Sequence, residues 1–184
     1  MKITKTNLNH CLIIQPDIFK DERGYFFESF NRERFKEATD IDINFVQDNE
    51  SQSQFGTIRG LHMQKDKWSQ AKLIRVVKGK VKDVVIDVRL HSPTFKQKFE
   101  IELTADNKTQ LFVPRGFLHG FSVLSDTAIF SYKCDNYYNK DSETGVNPLD
   151  KTLDIDWGVS PHQALISEKD KNAQDFEALI GESE

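Results

Sequence analysis

The stretch Val84-Val85-Ile86-Asp87-Val88-Arg89-Leu90 decides the fold class. Val84, Ile86, Val88 and Leu90 fall on one face of an extended chain, and Val85, Asp87 and Arg89 on the other. A period of two suits a β-strand and not a helix. The same alternation recurs downstream, where Phe99, Ile101 and Leu103 interleave with Lys98, Glu100 and Glu102. Lys72 to Val77 and Thr127 to Lys133 are further β-rich runs. Turn signals divide these runs at Lys78-Gly79-Lys80, Ser92-Pro93, Asp106-Asn107 and Pro114-Arg115-Gly116. Turns about 8–12 residues apart predict a sandwich or barrel of about ten strands. Helix is minor: Asn31 is placed to cap Arg32–Ala38, and Glu168–Ile180 carries Ala173, Phe176 and Leu179 or Ile180 at helical spacing.

The 184 residues carry no linker, repeat or biased segment, so one domain over 1–184 is expected. A net charge of -4 argues against a general electrostatic hold on nucleic acid or an anionic membrane. No apolar run approaches the roughly 20 residues that span a bilayer, and the first ten residues lack the apolar core of a signal peptide. Cys11 and Cys134 form no CxxC pair. A soluble, cytoplasmic protein is the expectation.

Two of the five histidines lie in glycine-flanked β segments, His62 in Arg59-Gly60-Leu61-His62-Met63-Gln64 and His119 in Gly116-Phe117-Leu118-His119-Gly120. A barrel metal site calls for two histidines one residue apart, a nearby Glu and a later His. Position 64 is Gln64, and the next acidic residue is Asp66, so the ligand set is incomplete and no metal is expected. Proton transfer beside a carbonyl fits better. A histidine base titrates near neutrality. A lysine meets charge developing on the carbonyl oxygen, and a tyrosine returns a proton to the opposite face. His62, Lys72 and Tyr132 supply these types, although residue types alone do not show that they converge. Read alone, Lys72 is an edge lysine, Tyr132 shares a face with Ala128 and Phe130 as a core residue would, and Asp170 is a first-turn helix acid. Asp83 and Asp87 read as structural carboxylates, with Asp83 a candidate for supporting the site.

Several segments together resemble the dTDP-4-dehydrorhamnose 3,5-epimerase family. They are Asp21 to Phe30, Gln47 to Ser53, Ile58 to Gln64, Lys72 to Arg89, Ser92-Pro93-Thr94 and Pro114 to Ser125, followed by Tyr132-Lys133, Tyr137-Tyr138, Glu143 and Ser167 to Asp170. The resemblance implies an all-β, double-stranded β-helix (a cupin-like jelly roll) with short helices near both termini. It implies a homodimer with N-terminal strands exchanged, so that each pocket takes residues from both subunits. It implies epimerisation at C3 and C5 of dTDP-4-dehydro-6-deoxy-D-glucose, with no cofactor. His62 then matches the general base, Asp170 its carboxylate partner, Tyr132 the acid and Lys72 the group facing the enolate oxygen. Arg23, Glu28, Gln47, Asn49, Arg59, His119 and Glu143 match substrate-binding positions. Tyr138 matches the aromatic that stacks on thymine, with Tyr137 as the alternative one residue away. Two places depart from the pattern: Lys65–Gln70, with Trp68, replaces a proline-containing stretch, and Asn139 stands where proline is common. A single-carbon epimerase and a non-catalytic nucleotide-sugar binder remain as alternatives.

Overall fold

A computed structural model describes residues 1–181. Ten strands of four or more residues make up most of two six-stranded sheets: β1 (Lys2–Lys5), β2 (Leu12–Gln15), β5 (Gln47–Gln54), β6 (Thr57–Gln64), β7 (Lys72–Lys78), β8 (Lys80–Asp87), β9 (Lys98–Thr104), β10 (Gln110–Val113), β11 (Phe117–Val123) and β12 (Thr127–Cys134). The other strands have two or three residues: the hairpin β3 (Phe19–Asp21) and β4 (Gly24–Phe26), then β13 (Glu143–Gly145) and β14 (Leu165–Ile166). The first sheet runs β1-β2-β10-β7-β12-β5, and the second runs β13-β6-β11-β8-β9 with β14 alongside β6. The expected jelly roll of about ten strands is what forms. Among the described residues no helix is long and apolar enough to cross a membrane.

Between the sheets lie Ile74, Val76, Leu111, Val113 and Phe130 of the first and Val81, Val85, Leu103, Phe121 and Val123 of the second. Each sheet also buries its outer face. The helix α1 (Arg32–Thr39) lays Phe35 over Leu12, Ile14, Leu73 and Phe112 of the first sheet. On the second, Ile58, Leu61, Val84, Ile86 and Leu118 are covered by Val146, Leu153, Trp157, Phe176, Leu179 and Ile180. This explains why Val84, Val85 and Ile86 are all buried, although alternation predicts one dry face.

Two expectations need correction. The strand that opens at Lys80 stops at Asp87 rather than running to Leu90. The Asp87 carboxylate accepts the Arg89 backbone N–H at 3.1 Å and its guanidinium at 2.6 and 2.8 Å, with Ser92 and Thr94 hydroxyls at 2.5 and 2.7 Å, which turns the chain. Asp87 is therefore structural. The helix expected over Glu168–Ile180 is two pieces, α2 (Glu168–Lys171) and α3 (Phe176–Gly181). Gln174 is drawn out to bridge Val146, and the Asp150 carboxylate takes the Phe176 N–H at 2.7 Å, where the second helix starts. At the other end α1 is capped by Asn31, as expected.

Candidate active site

A cavity of about 790 Å³ opens between the two sheets and beneath residues 164–171. His62 on β6 and His119 on β11 stand directly opposite in register. Both point into it, and Tyr132 and Lys72 enter from the first sheet. Period-two alternation explains this geometry, since Tyr132 continues the inward row of Ala128 and Phe130. The sequence-level reading of a core tyrosine is thus half right: its ring lies 6.0 Å from that of Phe130, at the floor of the cavity.

Each histidine carries a carboxylate. His62 Nε2 lies 2.6 Å from Asp170 Oδ1, with the imidazole side chain 31% exposed and the carboxylate 6%. Burial alone would raise the Asp170 carboxyl. The His62 hydrogen bond and charge, the Gly60 N–H and Ser167 outweigh it and hold Asp170 below the usual carboxylate range. Gly60 adopts φ +112°, and a Cβ there would strike the Gly120 backbone at 2.6 Å, so this crossing of β6 and β11 admits only glycine. Gly145 leaves room for the imidazole, since a Cβ at 145 would sit 3.0 Å from His62 Cδ2. The second pair, His119 Nε2 to Asp83 Oδ2 at 2.9 Å, is more deeply buried, and Asp83 Oδ1 has no hydrogen-bond partner among the described residues.

Lys72 is half-buried in the cavity wall, its ammonium 5.7 Å from the Tyr132 ring centroid. Burial pushes its pKa down, and the charges of Cys134, Asp83 and Glu143 oppose the shift. Burial pushes the Tyr132 phenol up to about 12, so it is protonated at neutral pH. Among the described residues no three His, Cys, Asp or Glu side chains gather where a metal ion could sit.

Asn49 and Arg59 line the cavity too, with the Arg59 guanidinium on Ser53 Oγ at 3.0 Å. Gln47 adjoins it through Asn49, 3.0 Å from its amide nitrogen. Glu143 accepts the Tyr138 hydroxyl at 3.1 Å and pairs with Lys169, a lining residue that the sequence reading passed over. Lys169 sits beside Asp170 in the quoted Ser167–Asp170 stretch, but a lysine on a short helix looks like a solvated one. Arg23 and Glu28 are not brought to the cavity. Arg23 is 90% exposed on the β3–β4 hairpin, paired with Asp21, and Glu28 pairs with Arg34 at the start of α1.

This is the architecture of a β-sandwich with a histidine–carboxylate pair on one wall of its cavity and a protonated phenol and an amine on the other, a set suited to moving protons. The family model described as dTDP-4-dehydrorhamnose 3,5-epimerase matches residues 5–178. The Shigella flexneri dTDP-4-dehydrorhamnose 3,5-epimerase is 48% identical over 96% of both chains. The Elizabethkingia anophelis NUHP1 crystal structure of that name superposes with a TM-score of 0.93 at 52% identity, covering 97% of each chain. A Legionella pneumophila epimerase solved with dTDP-4-keto-L-rhamnose gives 0.91 at 44% identity, over 97% of this chain and 96% of that one. The chain belongs to the dTDP-4-dehydrorhamnose 3,5-epimerase family and is an isomerase.

Proposed function

We propose that this chain epimerises dTDP-4-dehydro-6-deoxy-D-glucose at C5 and C3 to give dTDP-4-dehydro-L-rhamnose, with His62, Lys72 and Tyr132 moving the protons. The observation that carries the reading is that His62 and Tyr132 line one cavity from opposite sheets. A ring carbon inverts only if its proton leaves from one face and another arrives at the other. Asp170 holds His62 Nε2–H, which leaves the Nδ1 lone pair as the base. That nitrogen takes the C5 proton, and the C–H electron pair moves onto the C4 oxygen as an enolate. Lys72 donates to that oxygen. As the enolate collapses, carbon takes the Tyr132 phenolic proton. Once the His62 imidazolium gives its proton to solvent and the Tyr132 phenolate takes one back, the same cycle at C3 completes an isomerisation with no net redox change. His119, set beside His62 and backed by Asp83, donates to the sugar.

Arg59, with Lys169 at the cavity wall, suits the diphosphate, and Tyr138 suits the thymine face. Arg23 and Glu28 are supplied by a second copy. The hairpin that carries Arg23 leaves Phe19 62% and Phe26 70% exposed, more apolar surface than a free hairpin needs. Swapped hairpins would bury it and complete both pockets. Cys11 and Cys134, both buried thiols, suit a reducing compartment such as the cytoplasm.

Turnover in D₂O followed by proton NMR tests the reaction: deuterium appears with inversion at both C3 and C5. Inversion at one carbon alone would make this a single-site epimerase, and exchange at neither would refute the reading. The shared pocket has its own test. Arg23→Ala and His62→Ala proteins, each impaired, are unfolded together and refolded. If Arg23 serves the partner's pocket, random pairing restores about a quarter of the wild-type sites; no recovery would place Arg23 outside the partner's pocket.

A further inference from the structure

Gln64 lies two residues beyond His62 on β6 and is 5% exposed. Burying an amide is costly unless it is hydrogen-bonded. Its Oε1 accepts the backbone N–H of Asn139 at 2.9 Å. The preceding N–H, that of Tyr138, goes to Gln47 Oε1 at 3.0 Å. Two successive amides of one loop are therefore held by two glutamines, one from each sheet. Asn139 passes the constraint onward: its Oδ1 accepts the N–H groups of Asp141 and Ser142 at 3.0 and 3.2 Å, fixing the turn into β13. The first residue of β13 is Glu143, the acceptor for the Tyr138 hydroxyl. The Tyr138 ring, 51% exposed, is thus fixed by its backbone at one end and its phenol at the other.

We infer that Gln64 is a positioning residue for nucleotide binding, clamping the 138–139 backbone so that the Tyr138 ring is held ready for the base. This rests on the proposed role of Tyr138 and adds to it a residue that touches neither nucleotide nor sugar. An ordered aromatic loses less entropy on binding than a mobile one, so the clamp raises affinity without touching the chemical step. Asn139 matters as much as Gln64, because a proline at 139 has no N–H to offer.

The test uses the full chain. Gln64→Leu keeps the side-chain size and removes the acceptor. It raises both the Kd for dTDP and the KM about 5- to 10-fold, with kcat within about twofold. Exchange of the Asn139 amide with D₂O accelerates, and Asn139→Pro shows the same KM and Kd rise. Gln64→Glu retains an acceptor and stays close to wild type in KM, which guards against a Gln64→Leu protein that merely folds poorly. Unchanged Kd and KM in Gln64→Leu, or a fall in kcat at unchanged KM, would overturn the inference. Tyr138→Ala separates it from the reading beneath. If Tyr138→Ala weakens dTDP and Gln64→Leu does not, only the clamp fails; if Tyr138→Ala leaves dTDP affinity unchanged, both fail.

Discussion

His62→Ala lowers kcat by about 10³-fold, within the range a placed general base contributes, while the Kd for dTDP stays within about twofold of wild type. The imidazole touches Asp170 and lines the cavity. The groups assigned to the nucleotide, Arg59, Tyr138 and the partner's hairpin, do not depend on it. Removing the ring leaves the Asp170 carboxylate, 6% exposed, without its strongest partner. The Gly60 N–H at 3.4 Å and the helix-capping arrangement at Ser167 remain to hold it, so the protein still folds with a modest loss of stability. No other cavity residue replaces the base. His119 is 8% exposed, with Nε2 committed to Asp83 and its ring stacked 5.9 Å from Phe130. Steady-state kinetics and dTDP titration on the same preparation check the result. Wild-type-like turnover would remove His62 from the mechanism, and a loss of dTDP affinity matching the loss of rate would make it a binding residue instead.

β7, β8, β9 and β12 were legible because each carries its β-rich run in its own few residues, whereas β5 (QDNESQSQ) has no apolar row and β10 and β11 are buried along their whole length. Pairing across the chain was not. Nothing near His119 announces that Asp83, 36 residues earlier, is its partner, because that contact exists only once β8 and β11 lie side by side. The break in the C-terminal helix was hidden for the same reason, since the Asp150 carboxylate that starts α3 is 26 residues away. Gln64 was noticed for what it is not, a second histidine; its use as a loop anchor depends on where Asn139 arrives. For His62, Lys72 and Tyr132, residue chemistry suggested the reaction, and the family resemblance supplied the positions. Folding then set the three around one cavity. Among the described residues no interaction brings Arg23 and Glu28 to the cavity, so their proposed place in it rests on a second copy.

Tyr132→Phe separates the two halves of each epimerisation. The substitution removes one oxygen atom and leaves the ring packed against Phe130 and under the Lys72 ammonium. His62, Asp170 and Lys72 are untouched, so the C–H bond is still broken and the enolate still forms. What is lost is the proton on the opposite face. A phenol pushed up to about 12 is almost wholly protonated at neutral pH and is a ready donor only to a strong base such as an enolate carbon. Without it, the imidazolium returns its own proton to the face it came from. His62 is 31% exposed and exchanges that proton with solvent. In D₂O the variant therefore loads deuterium into the sugar with retained configuration. Inversion falls by about 10²–10³-fold, and exchange falls far less. Proton NMR reads both at once, as loss of the C5 and C3 signals and as the coupling pattern of the ring. Exchange and inversion falling together would assign Tyr132 to enolate formation. Inversion at the wild-type rate would mean that water, or another group on the first sheet, delivers the second proton.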